Sequence, residues 1–144
     1  MYFEEMSLGQ SLELPHVTID RQKVLDFSHE YDPFPLHHDE AYAAATRYGR
    51  LVAPGVMTFM SMWAQVHHAG FFGPELVAGK STYIEWFAPV FPGDTLHGQL
   101  SVTALTKRNP YNGIVETTMH VFNSDGKEVL KNVTESVVAC RPAT

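Results

Sequence analysis

The sequence predicts an α+β domain in which an antiparallel sheet of about five strands wraps around one long buried helix. Residues 20–70 carry helical patterns, whereas residues 77–140 carry strand patterns broken by turn sequences. One helix of about 14 residues, from Pro54–Gly55 to Gly70, is apolar on nearly all faces, as helices in protein cores are. Helices and strands are thus segregated along the chain, which favours α+β over α/β architecture.

Two shorter helices precede the apolar one. Asp20 is a candidate N-cap for a first helix that reaches Tyr31. Asp39 is the corresponding residue of a second helix, which we expect to continue through Tyr48 and to stop at Gly49. Between these two helices lies a segment rich in proline.

The strand-rich half begins near Val77. Four long strands are separated by the turn sequences FPGD, RNPYNG and NSDGK. Their consecutive spacing predicts an antiparallel meander, and a short first strand that ends near Ile19 is added to it.

Composition indicates a single soluble domain covering residues 1–144. Of the 144 residues, 44% are hydrophobic and 18% are charged. The net charge of −6 argues against nucleic acid or an anionic membrane as partner. Cys140 has no second cysteine to pair with, and we find no signal peptide or membrane span, so we expect a cytoplasmic protein.

The segment YDPFPLHHDEAYAAA, from Tyr31 to Ala45, carries the candidate catalytic residues Asp32 and His37. A carboxylate and a neutral imidazole coexist at neutral pH, as proton transfer requires. Each of the two prolines between them fixes its own φ and pushes its predecessor away from helical geometry. We therefore expect a rigid non-helical bridge that positions an acid–base pair.

A purely structural role is the alternative for this segment. Asp32 would then cap a turn, His37 would pack beneath it, and Asp39 would only begin the next helix. A metal site at His38 and Asp39 lacks a third ligand at a suitable spacing, so we predict none.

The start of the apolar helix is a second candidate site. Backbone N–H groups at a helix N-terminus, next to a glycine that permits close approach, can stabilise a developing oxyanion. Gly55 and Val56 are the candidate residues, and Thr58 in the first turn is included as a candidate substrate contact. A turn that simply starts a helix is the competing interpretation.

These residues together resemble the MaoC-like dehydratases, which include the (R)-specific enoyl-CoA hydratases and have the hot-dog fold. The family's motif runs Asp, any residue, Asn, Pro, an aliphatic residue and His, usually with an Asp two residues later. Asp32 to His37 and Asp39 match it, except that Phe34 replaces the Asn. The chain is most similar to a subgroup with the pattern Asp-Pro-x-Pro-x-His. The blocks RLVAPGVMT, FAPVFPGDTL and NSDGKEVL also resemble family segments.

The resemblance implies a reaction and a substrate class. Asp32 and His37 would activate a water molecule that adds to C3 of a 2-enoyl thioester, with a proton delivered to C2. The N–H of Gly55 would polarise the thioester carbonyl, and Phe34 would affect which substrate is accepted. The carrier would be coenzyme A or acyl-carrier protein, as substrate rather than cofactor, and no cofactor is expected.

Two other functions stay open. Hot-dog thioesterases also act on acyl thioesters, but many place a carboxylate on the central helix, and residues 55–70 contain no Asp or Glu. A non-catalytic acyl-binding subunit is the second alternative, because Phe34 departs from the motif. The fold resemblance also implies a homodimer, or a dimer of dimers, with the acyl pocket near the interface. HHAGFFGPEL, residues 67–76, is either a mobile lid or a loop anchored in the core, and we favour the loop.

Overall fold

The computed structural model describes residues 1–143, and this range contains five β-strands and three α-helices. In chain order they are β1 (Ser11–Thr18), α1 (Arg21–Tyr31), α2 (Glu40–Ala44), α3 (Gly55–His68), β2 (Leu76–Trp86), β3 (Thr95–Lys107), β4 (Asn112–Phe122) and β5 (Glu128–Ala139). Single turns of 3₁₀-helix cover Phe3–Glu5, Pro35–His37 and Gly73–Glu75.

The strands form one antiparallel sheet in the order β1-β3-β4-β5-β2, and α3 packs against it through contacts with β1 and β3. Inward-facing residues of β3, β4 and β5 alternate with less buried ones, as expected of a sheet with one covered face. The α+β class and the hot-dog arrangement of five strands and one long helix are therefore confirmed.

The predicted meander is wrong for β2. Only β3, β4 and β5 follow one another across the sheet, whereas β2 lies at the far edge beside β5. Residues 87–94, which include FPGD, do not form a tight hairpin. They cross to the end of β1, where Ile19 N donates to Asp94 O at 2.8 Å and Gly93 N to Ile19 O at 2.7 Å. Two prolines in this connection lack the N–H that a continued ladder would need.

A buried polar network holds β2 beside β5. The amide of Asn132, which is fully buried, donates to the Thr82 hydroxyl at 2.7 Å and to the Tyr83 carbonyl at 2.9 Å. The hydroxyl of Thr134 donates to the Asn132 side-chain oxygen at 2.8 Å. A buried polar group without a hydrogen-bond partner destabilises the fold. This network therefore favours pairing of β2 with β5 over pairing of β2 with β3.

The predicted caps of the first two helices are confirmed, but α2 is shorter than expected. The Asp20 carboxylate accepts from Lys23 N and the Asp39 carboxylate from Tyr42 N, both at 3.0 Å. Helix α2 ends at Ala44 rather than Tyr48, because the Thr46 N–H and hydroxyl both bond the Ala43 carbonyl and close the helix in a tight turn. Gly49, at φ +71°, ends the turn that follows.

Helix α3 has the predicted length of 14 residues but is not buried on all sides. Met57, Phe59, Met62 and Val66 face the core. Val56 and Met60, one turn apart, are 49% and 48% exposed. The helix therefore presents an apolar strip to the surface, which the sequence pattern did not predict.

Within residues 67–76, the residues between α3 and β2 (69–75) form a loop anchored in the core, as we favoured. Phe71 and Phe72 are buried, and the amino group of Met1 donates to the Phe72 carbonyl at 2.9 Å. Within residues 1–143, none of the helices combines the length and apolar character needed to cross a membrane.

We predict that Gly98→Ala destabilises the fold by about 1–3 kcal/mol, because strand β3 is crowded at this position. A Cβ there would lie 2.7 Å from the His120 carbonyl oxygen, which is backbone and cannot swing away. Gly79→Ala on β2 is the matched control, since no atom lies within 4 Å of a Cβ there and the change should stay within about 0.5 kcal/mol. Urea unfolding of both variants measures the difference, and equal stabilities would contradict this account of β3.

Candidate active site

The end of α1 holds Asp32 in a defined position. The Asp32 N–H donates to the Ser28 carbonyl at 3.0 Å, and the Ser28 hydroxyl donates to the Asp32 carbonyl at 2.7 Å. Ser28 is fully buried, so these two bonds are shielded from competing water. The backbone of Asp32 leaves the helix at φ −148° and ψ 74°, outside the α region that a following proline disfavours.

We call residues 32–37 the proline segment, and it folds back on itself. Phe34 N donates to Asp32 O at 2.8 Å, and His37 N donates to Phe34 O at 2.9 Å. Pro35 begins the 3₁₀ turn that ends at His37. Two fixed proline φ angles and two short backbone bonds hold Asp32 and His37 on the same side of the turn.

A backbone contact orients the His37 ring. Its Nδ1 lies 2.6 Å from the Val52 carbonyl oxygen, which can only accept, so Nδ1 carries the proton. The other nitrogen, Nε2, lies 3.3 Å from Oδ2 of Asp32. In the neutral imidazole Nε2 is therefore an acceptor that faces a carboxylate acceptor.

Two acceptors side by side form a site for a molecule that donates two hydrogen bonds. The His37 side chain is 12% exposed and that of Asp32 is 49% exposed, so a small molecule can reach the pair. A water molecule that donates one hydrogen to each acceptor satisfies both. Protonation of His37 is the other way to satisfy them, because Nε2–H then donates to the carboxylate.

The N-terminus of α3 offers free backbone donors beside this pair. The first intrahelical bond runs from Thr58 N to Pro54 O at 3.1 Å, which leaves the N–H groups of the first three helical residues unused within the helix. Pro54 supplies no side-chain cap. The N–H groups of Gly55 and Val56 therefore remain available to an anion or a polarised carbonyl.

Thr58 lies against the same helix end, but its hydroxyl is already used. The side chain is 1% exposed, and Oγ1 donates to the Gly55 carbonyl at 2.7 Å. Thr58 thus fixes the first turn of α3, and its proton is not directed towards a bound molecule.

Trp86, at the end of β2, covers the helix start. A Cβ at position 55 would lie 2.5 Å from Cε2 and 2.6 Å from Nε1 of the indole, so the ring lies directly against Gly55. Only glycine permits this approach. The close contact explains why a glycine stands at position 55, beyond its use as a helix start.

One cavity of about 480 Å³ brings these groups together. Its wall is formed by Asp32, His37, Arg47, Tyr48, Val52, Ala53, Gly55, Val56, Thr58, Trp86, Phe87, Ala88, Pro89 and Val90. The predicted site residues Asp32, His37, Gly55, Val56 and Thr58 thus share one wall.

Phe34 is the exception among the predicted site residues, because it does not line this cavity. Its ring packs edge-on against His37 at 5.7 Å between centroids, and against Tyr42 at 6.2 Å. In the structure Phe34 contacts the His37 imidazole rather than the cavity, and its expected effect on the substrate stays a prediction. Phe34 supports His37 from the outer side of the proline segment.

Sequence reasoning missed the residues that complete the cavity. Phe87 to Val90 belong to the block FAPVFPGDTL, and Trp86 directly precedes it, but no pattern there marks these residues as a wall of the site. Arg47 and Tyr48 were assigned to a helix. In the structure they lie in the turn after α2, with Arg47 Nη2 donating to the Tyr48 hydroxyl at 3.0 Å. That hydrogen bond holds the pKa of Arg47 above its ordinary value. An arginine guanidinium is cationic at neutral pH in any case.

Two curated relatives share sequence with this chain. The uncharacterized protein YdeM of Bacillus subtilis is 25% identical over 130 residues, which span 90% of this chain and 91% of YdeM. The (R)-specific enoyl-CoA hydratase of Aeromonas caviae is 32% identical over 96 residues, which span 64% of this chain and 65% of the hydratase.

A solved structure and a family model agree with this similarity. The structure of a MaoC-like dehydratase from Rhodospirillum rubrum superposes with a TM-score of 0.87 and 27% identity, over 99% of this chain and 99% of that chain. The model of the MaoC like domain matches residues 4–125, which is most of the chain. This protein therefore belongs to the MaoC-like domain family.

Proposed function

We propose that this protein is a hydro-lyase that reversibly adds water to a 2-enoyl thioester and forms a 3-hydroxyacyl thioester. The observation that carries the proposal is the 3.3 Å contact between Asp32 Oδ2 and His37 Nε2, within one cavity that also contains the N-terminus of α3. An acid–base pair and an anion-stabilising helix end are the two elements that such a reaction needs.

The water is activated by Asp32 and His37. His37 Nε2 takes a proton from the bound water, because Nδ1 is already protonated and held by Val52. The water oxygen forms a bond to C3, and the double-bond electrons move towards the thioester. The imidazolium that results donates to the Asp32 carboxylate, which stabilises it. A proton from the pair then goes to C2, so that water is added across the double bond.

The thioester oxygen receives charge during this step. Free N–H groups of Gly55 and Val56 lie at the positive end of the α3 dipole, where a developing enolate oxygen is stabilised. The indole of Trp86 lies against this helix end. Loss of one such donor typically costs about 10²- to 10³-fold in turnover.

Two observations support hydration over the alternatives. The relative from Aeromonas caviae is an (R)-specific enoyl-CoA hydratase, whose name specifies this reaction. Helix α3, Gly55–His68, contains no carboxylate, which many hot-dog thioesterases place there. We propose coenzyme A or acyl-carrier protein as the carrier. Membership of the Asp-Pro-x-Pro-x-His subgroup stays a prediction.

We predict that Asp32→Asn and His37→Ala each lower kcat/KM for short and medium trans-2-enoyl-CoA by roughly 10²- to 10⁴-fold. The reason is that either change removes one of the two groups that hold the water. Loss of the enoyl absorbance measures the reaction directly.

Asp26→Asn and His68→Ala are matched controls for these two variants. Both residues are exposed, neither lines the cavity, and activity should stay at the level of the natural protein. If the natural protein binds acyl-CoA but shows no turnover, the enzyme hypothesis is wrong and the protein is an acyl-binding subunit. Release of free thiol would instead indicate a thioesterase.

A second copy of this chain is the proposed protein partner. Within residues 1–143, strand β2 pairs only with β5, and nearly all of its residues are exposed on both faces. An open edge of this length is a hazard that proteins normally cover. Pairing of two β2 edges would continue the sheet through both copies and would also cover the exposed Val56 and Met60 of α3. Val56 lines the cavity, so the interface would reach the site.

We predict that the purified protein has twice its 16.1 kDa chain mass in solution, and that Met60→Glu shifts it to the monomer. A buried unpaired carboxylate at the interface would weaken association by more than about 100-fold. Leu8→Glu is the control, because Leu8 is also an exposed apolar residue, 66% against 48% for Met60, but it directly precedes β1 at the opposite edge of the sheet. Sedimentation velocity measures both. A monomeric natural protein would contradict the interface.

A further inference from the structure

The cavity wall contains one permanent cation. Arg47 is the only Lys or Arg among the described residues that line the cavity, and Asp32 is the only Asp or Glu. The other lining residues are mainly apolar side chains and the helix donors at Gly55 and Val56. A proton-transfer step needs Asp32, but nothing in the proposed water addition uses Arg47.

Arg47 has no acidic partner within residues 1–143. None of the six ion pairs in this part of the chain includes it, although the protein has 16 acidic residues and a net charge of −6. Its hydrogen bond goes to the Tyr48 hydroxyl, and its Cζ lies 5.0 Å from the centre of the Tyr48 ring. A guanidinium has five N–H donors, so most of them remain free.

The turn that carries Arg47 is itself well held. Thr46 bonds back to Ala43, and Gly49 N donates to Thr46 O at 3.1 Å. Tyr48 is half-buried and holds the guanidinium by both its hydroxyl and its ring. Arg50 contrasts with this arrangement, because its guanidinium lies 3.7 Å over the Phe91 ring and Arg50 does not line the cavity.

A cation held in this way, with free donors in a substrate cavity, is suited to an oxyanion of the substrate. Arginine binds carboxylate and phosphate oxygens through two parallel hydrogen bonds. We propose that Arg47 binds an anionic group of the thioester, a carboxylate on the acyl chain or a phosphate of the carrier, and thereby selects substrates that carry it. This inference rests on the proposed function and adds a substrate class to it.

The test measures binding of saturated thioesters, which cannot be hydrated, by titration calorimetry. Pentanoyl-CoA carries phosphates only, glutaryl-pantetheine carries an acyl carboxylate only, and pentanoyl-pantetheine carries neither. Arg47→Gln should weaken binding of one of the two anionic ligands by roughly 10- to 100-fold and leave pentanoyl-pantetheine unchanged. Arg47→Lys should retain part of the affinity, because it keeps the charge but loses the two-pronged geometry.

The ligand that responds identifies the source of the anion. A loss with pentanoyl-CoA assigns Arg47 to a carrier phosphate, and a loss with glutaryl-pantetheine assigns it to an acyl carboxylate. Arg50→Gln is the matched control and should leave all three affinities unchanged. Thermal unfolding of each variant checks that the fold is intact.

Equal losses with all three ligands, no loss with any, or no binding of any ligand to the natural protein would overturn the inference. Failure of the proposed function gives a different result. In that case enoyl thioesters are not hydrated, while the dependence of binding on Arg47 persists.

Discussion

The hydrogen bond from His37 Nδ1 to the Val52 carbonyl, at 2.6 Å, is the contact on which the site depends. It joins the proline segment to the chain that enters α3, and Val52 N donates in return to the Leu36 carbonyl at 3.2 Å. The contact at Nδ1 fixes the tautomer of His37 and turns Nε2 towards Asp32. The two hydrogen bonds together hold the proline segment against the chain that leads to Gly55.

The site is assembled from ends of elements rather than from their interiors. Asp32 follows the last residue of α1, Gly55 begins α3, and Trp86 ends β2. The buried Ser28 holds Asp32 by two hydrogen bonds, and the Trp86 indole packs against Gly55, which gives rigidity to the site. Helix α3 supplies its dipole and free N–H groups to the site, while its middle, from Met57 to Val66, packs in the core. The N-terminus of α3 therefore belongs to the candidate site, while the middle of the same helix stabilises the fold.

Local chemistry was predictable from the sequence. Asp20 and Asp39 cap their helices because a short carboxylate reaches the N–H three residues later, and this depends on neighbours alone. The proximity of Asp32 and His37 was predictable for the same reason, since five residues with two prolines leave few conformations. The start of α3 was also predictable, because one proline–glycine pair marks the point at which the helix begins.

What depends on distant parts of the chain was not predictable. The place of β2 at the far edge is determined by partners such as Asn132, about 50 residues away in sequence. The cavity wall at Trp86 and the contact of Phe34 with His37 instead of the cavity depend on the packing of separate segments. The early end of α2 results from one hydroxyl, that of Thr46, which competes for a helix carbonyl.

Oxygen-18 labelling tests most directly whether this protein adds water to the double bond of an enoyl thioester. The purified protein is incubated with a trans-2-enoyl-CoA in H₂¹⁸O, and the acyl product is analysed by mass spectrometry. The account predicts a 3-hydroxyacyl thioester with one oxygen-18 on C3 and none in the carbonyl. A free acid with oxygen-18 in its carboxyl group, or unchanged enoyl thioester, would contradict it.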